Sequence, residues 1–285
     1  MDKAISNQQL GINEKSSYNN VKDMNDIFAL NPWVDVANKY KESDFLFSRN
    51  EQFICEADKK IIEDFNKTVD EEYQYILNVP AYPWYGNPLK ANVIILSLNP
   101  GYVEKEITIS KFLQKLPLEF TEGFIDHLRK MLTFEVDGFL PMKLGKNGIF
   151  FRDLANILQS WYWEDRFIKE FNNNETELTY EEINSKFSVI QFIGYSSKKY
   201  KAFKKNQLLP SQEYTKNLIH QIVKHNKNAI FIIARHKKIW KNFCGKLWED
   251  NSNRFIETHD YLGQRFTKEI LGQESYSKIV DALKS

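Results

Sequence analysis

The sequence predicts an α/β protein: three layers, α/β/α, around a central four-stranded parallel sheet, with an extra helical layer at the N-terminal end. Three observations lead there. Four short apolar runs rich in β-branched residues each stop at a polar turn. Helical patterns separate these runs, so right-handed crossovers join parallel strands. The clearest run, 93–96, has no polar alternation, as expected of a strand buried on both faces.

In chain order, residues 1–22 offer few apolar anchors and read as a flexible tail. Residues 23–285 read as a single domain, with 23–78 as the helical layer and 79–285 as the α/β core. Between 24 and 76 apolar residues recur at helical spacing. Ile54, Ile61, Ile62 and Phe65 form one series, with Asp58, Lys59 and Lys60 on the polar face. Three prolines and a glycine in 79–88 predict a rigid aromatic loop without regular structure. The first strand follows and breaks after Ser97 and Leu98 into Asn99-Pro100-Gly101-Tyr102. Residues 107–133 read as helical, 138–148 as loop, 150–163 as an amphipathic aromatic helix serving wall or core, and 172–176 as an exposed turn.

The second strand, 187–193, ends in Gly194-Tyr195-Ser196-Ser197. The third, 229–234, ends in Arg235-His236-Lys237-Lys238, and the fourth, 254–257, in Thr258-His259-Asp260. Helices are expected at 212–224, 239–248 and 276–283.

Composition narrows the function. A formal net charge of +1 means that affinity for a polyanion must come from local patches. Aromatic content of 14% suits a large core or a surface that stacks bases. The two cysteines, Cys55 and Cys244, form no C-x-x-C pair, and the five histidines include no H-E-x-x-H, so a metal site is not expected. Phosphate-loop, dinucleotide and nucleophile-elbow patterns are absent, and no cofactor is expected. The first 25 residues do not resemble a signal peptide, and no apolar run approaches about 18 residues. A cytoplasmic monomer with reduced thiols is expected.

In open α/β sheets, ligands bind beyond the carboxyl ends of the strands. Asn99 sits there, able to donate and accept, and Gly101 lets backbone approach a ligand. Asn99 also suits a cap or a left-handed turn, and His259-Asp260 an ordinary exposed turn.

The order and character of these turns resemble the uracil-DNA glycosylase superfamily. Its mismatch-specific and single-strand-selective branches carry G-[IM]-N-P-G after the first strand; here the stretch reads Ser97-Leu98-Asn99-Pro100-Gly101. The family's second motif follows the last core strand and often begins with His, which points to His259. Trp84-Tyr85-Gly86-Asn87-Pro88 looks like the loop that precedes the first strand in bacterial glycosylase-like proteins. Ser97 departs from the usual glycine, and His259-Asp260-Tyr261 departs from H-P-S.

The resemblance implies a water-orienting Asn99 and a His259 that donates to the leaving pyrimidine. Leu98, Pro100, Gly101, Tyr102, Gly194, Tyr195 and Ser196 would line the substrate site. Five lysines in 198–205, interleaved with Tyr200 and Phe203, predict DNA contacts through Ser197, Lys198, Lys199 and Lys201; Arg235, Lys237 and Lys238 join them from the third strand end. The expected activity is release of uracil or a modified pyrimidine flipped out of DNA, in repair or against modified phage DNA. The alternatives are an inactive nucleic-acid-binding protein of the same fold and a nucleoside- or nucleotide-processing enzyme.

Overall fold

The computed structural model describes residues 22–40, 52–100, 118–136, 162–172, 176–203, 207–258 and 266–285. The predicted loop at 138–148 and most of the predicted 1–22 tail and 150–163 helix lie outside the described residues.

Five strands form one mostly parallel sheet: β1 (Trp84–Tyr85), β2 (Val93–Ser97), β3 (Phe187–Gln191), β4 (Ile230–Ile233) and β5 (Phe255–Glu257). Their order is β1-β3-β2-β4-β5. The four runs read as parallel strands do pair in parallel, with Val93 opposite both Phe187 and Ile230, and Phe231 opposite Phe255. Every residue of β2 and β3 is buried, which is why these runs carry no polar alternation.

The fifth strand is a correction. Within the loop expected to be irregular, Trp84 and Tyr85 run antiparallel to β3, opposite Ile190 and Val189. An edge strand needs ladder donors on one side only, so flanking prolines are tolerated. Pro83 contributes its carbonyl to Gln191 N at 2.8 Å, and Gly86 turns the chain at φ +72°. Trp84 is fully buried, stacks on Phe134 at 4.6 Å and donates from Nε1 to Met131 O at 2.7 Å. Asn87 gives both amide hydrogens to Phe134 O and Val136 O, so this stretch is structural.

The helices are α1 (Met24–Ala29), α2 (Val34–Lys39), α3 (Glu56–Asn66), α4 (Leu118–Leu132), α5 (Tyr162–Phe171) and α6 (Tyr180–Lys186). They continue as α7 (Pro210–His225), α8 (Lys237–Cys244), α9 (Lys246–Asp250), α10 (Lys268–Leu271) and α11 (Gln273–Lys284). Among the described residues of 24–76 the periodicity resolves into α1, α2, α3 and a 3-10 turn at Glu71–Tyr73. The helix expected over 239–248 breaks between α8 and α9 at Gly245, whose φ of +52° suits a residue without Cβ. Tyr214 Oη donates to Ile27 O at 2.8 Å, fastening α1 to α7. Arg254 gathers the carbonyls of Val223, Asn226 and Ala229, pinning the turn between α7 and β4 to the start of β5.

Strand order also locates a crevice. From β2 the chain crosses toward β3, whereas from β4 it crosses toward β5. The loops leaving the carboxyl ends of β2 and β4 therefore diverge, and the gap between them is where doubly wound sheets bind ligands.

Candidate functional site

Asn99 stands at this gap, two residues beyond β2 and half-buried. Its Nδ2 donates to Ser197 Oγ at 2.9 Å and to Pro100 O at 3.0 Å. Ser197 spends its own hydroxyl proton on Lys199 O at 3.0 Å, so toward Asn99 it can only accept. A carbonyl can only accept as well. Both partners thus demand the NH2 face of the amide, and Oδ1 points away from them. The loop carrying Ser197 is held beside β2 because Phe192 N and Ile193 N donate to Ser97 O and Leu98 O at 2.9 and 2.7 Å. Leu98 and Pro100 are buried and act as backbone supports.

Across the gap, His236 begins α8 in a left-handed conformation, φ +54°, and is exposed. A non-glycine residue at such angles carries backbone strain of about 1–3 kcal/mol, a feature that clusters at functional sites. Its ring lies 6.1 Å from that of Tyr200, three residues beyond Ser197. Asn99, Ser197, Tyr200 and His236 therefore share the carboxyl end of the sheet. The sequence placed His236 only within a basic run, since backbone strain leaves no mark on a His codon's neighbours. His259, Gly101 and Tyr102 lie outside the described residues.

Three predicted substrate contacts are instead core residues. Tyr195 is 1% exposed; its hydroxyl donates to Asp58 Oδ2 at 2.7 Å and accepts from Cys55 N at 3.2 Å. Asp58, read as part of a polar helix face, is fully buried, and its Oδ1 accepts from Ser211 N at 3.0 Å. Burial raises the carboxyl's pKa and lifts the neighbouring Cys55 thiol to about 12. Gly194 serves packing: a Cβ there would lie 2.8 Å from Trp33 Cη2 and 3.1 Å from Pro83 Cα. Ser196 is buried and accepts from Ile76 N at 2.8 Å. Together these residues fasten the N-terminal segment to the sheet.

Gln191 is a residue that sequence reading missed. It ends β3 opposite Ser97, is buried, and its Oε1 has no hydrogen-bond partner. A buried orphan acceptor costs about 1–3 kcal/mol, and a ligand donor at the strand end would relieve it. The available signal was a lone Gln inside the apolar run 187–193.

The basic rim is paired internally rather than bare. Lys198 meets Glu71 at 3.1 Å, Lys199 meets Glu72 at 2.7 Å, and Lys201 Nζ lies 5.0 Å from the Tyr73 ring centroid. Lys237 pairs with Glu257 at the end of β5. Arg235, Lys238 and Lys241 are exposed around the start of α8.

Among the described residues, no three His, Cys, Asp or Glu side chains gather as a metal would require, and no helix is long and apolar enough to cross a membrane. No protein-family model matches this chain, and no curated protein or solved structure matches it at a significant level.

Proposed function

We propose that this chain is a monomeric DNA glycosylase-like hydrolase, built as helices on both faces of the sheet, that cleaves the N-glycosidic bond of uracil or a modified pyrimidine flipped out of DNA. The observation that carries this reading is the fixed amide of Asn99, whose Nδ2 is held by Ser197 and Pro100 so that, among the described residues, Oδ1 is left to accept from a water at the switch point of the sheet. N-glycosidic cleavage passes through an oxocarbenium-like sugar and a departing base anion. It needs a positioned water rather than a strong base, together with donors to the leaving base. Asn99 supplies the first requirement. His259, through the family resemblance, and His236, through its place at the crevice, are the candidates for the second. Gln191 Oε1 offers a buried acceptor to the imide N–H that uracil presents.

The test is incubation with oligonucleotides carrying uracil and a range of modified pyrimidines, followed by alkaline cleavage at abasic sites. Asn99→Ala should lose most base release and keep DNA affinity. A panel without any cleavage sinks the glycosylase reading. An Asn99→Ala variant that matches the parent leaves only a binding module.

A second reading, a nucleoside- or nucleotide-processing enzyme, is favoured by the ion pairing of Lys198, Lys199 and Lys237, which weakens the basic field that DNA would meet. It predicts turnover of free nucleosides and little salt-dependent DNA binding.

A further inference from the structure

We propose that the acidic segment 70–73 is a strap that occupies the phosphate-binding lysines of this rim, so that nucleic acid reaches Lys198 and Lys199 only by displacing Glu71 and Glu72. The inference rests on the nucleic-acid reading of the same edge.

Residues 71–76 run antiparallel to 196–201. Ile76 N donates to Ser196 O and Lys199 N to Glu72 O, both at 2.8 Å, and Tyr75 Oη donates to Lys201 O at 3.2 Å. Beside this backbone contact three cations meet three neighbouring strap side chains: Lys198 meets Glu71, Lys199 meets Glu72, and Lys201 meets the Tyr73 ring. Backbone and side-chain contacts thus both join 71–76 to 196–201.

The strap is firm at one end and loose at the other. Tyr75 is buried, packs on Phe65 and Phe203 with ring centroids 5.5 and 5.6 Å away, and exchanges hydrogen bonds with Asn66. Glu71 is 83% exposed on its side chain, and Asp70 is exposed beside it. Exposed ion pairs are weak and screened by salt, so a strip of closely spaced phosphates can replace them. Any lysine–phosphate contact here then forms at the expense of a lysine–carboxylate contact. Lys238 and Lys241 on α8 carry no such competitor from the strap and would make the first encounter.

The experiment measures binding of a fluorescent mixed-sequence single strand to the whole protein over a range of salt. Glu71→Gln/Glu72→Gln should bind about three- to tenfold tighter at low salt and steepen the log–log salt slope by about 1 to 2, one unit per lysine released to phosphate. Adding Lys198→Gln/Lys199→Gln to that variant should cancel the gain. Glu269→Gln/Glu274→Gln removes the same charge from α10 and α11, which make no ion pair with Lys198 or Lys199, and should change little. An equal gain from that pair reduces the effect to bulk charge and overturns the strap. Parent and variant binding alike also overturns it, and leaves the nucleic-acid reading standing. No binding by any of the proteins at low salt overturns both.

Discussion

The Tyr195 hydroxyl donates to Asp58 Oδ2 across 2.7 Å, joining α3 to the loop that leaves β3. Asp58 also accepts from Ser211 N at the start of α7, so one buried carboxylate ties three segments far apart in sequence. Asp58→Ala should destabilise the fold by about 2–4 kcal/mol, because it leaves the Tyr195 hydroxyl and Ser211 N–H unpaired in the core. Tyr195→Phe should cost about 1–3 kcal/mol and leave base release per folded molecule unchanged. Denaturant unfolding checks the first two values. A Tyr195→Phe protein that folds normally and loses activity would return Tyr195 to the substrate site.

The same carboxyl makes stability depend on pH with a defined sign. Burial, the largest influence, raises its pKa above the ordinary 3.8. The folded state therefore holds this proton more tightly than the unfolded state. The stabilisation is fully present below 3.8 and is lost as pH rises through the folded-state value. Urea titrations of parent and Asp58→Asn between pH 4 and 7 should show the parent's advantage shrinking as pH rises. A difference that stays flat or widens contradicts this account.

Asn99 and Ser197 form a positioning pair. Under the glycosylase reading, Asn99→Ala should lower kcat by about 10²-fold or more through loss of the oriented water. Ser197→Ala removes one of the two acceptors that set the amide's direction, and should lower kcat about tenfold with KM nearly unchanged. Ser197→Thr keeps the hydroxyl and should restore most of the rate. Single-turnover kinetics on a reactive substrate separates these outcomes; equal loss in the Ala and Thr variants argues for a packing defect.

Gln191 offers a contrast between stability and recognition. Its Oε1 is already unpaired, so Gln191→Leu should leave stability unchanged within about 1 kcal/mol or raise it. Discrimination among pyrimidines should fall at the same time. A destabilised Leu variant with intact discrimination would show that Gln191 is a structural residue only.

Gly194→Ala tests the close approach of Trp33. A methyl 2.8 Å from the indole and 3.1 Å from Pro83 Cα must displace one of them, costing about 1–3 kcal/mol. Trp33→Leu combined with Gly194→Ala should be less destabilised than the two losses added together. Simple additivity in thermal or denaturant melts rules out the clash.

The four parallel strands were legible because burial on both faces forces unbroken apolar runs, and the end of β2 before Asn99 and Pro100 was legible because such residues stop a strand. β1 was not, since Trp84 and Tyr85 pair at an edge where prolines carry no penalty. Asp58 was misread for a different reason. Helical periodicity shows which face a residue is on, but not whether a tyrosine from 137 residues away will come to that face. The ion pairs of the lysines at 198–201 were out of reach in the same way, their partners lying across the chain at 71–73.

By itself, then, the sequence determined the α/β alternation and the parallel strands, because these follow from local burial and backbone preference. Only the tertiary structure decided strand order and thus the crevice. It also decided which way the Asn99 amide faces, which loop residues sink into the core, and which lysines meet carboxylates. Each of these is a pairing between groups far apart in sequence, and no local pattern of residues encodes such a pairing.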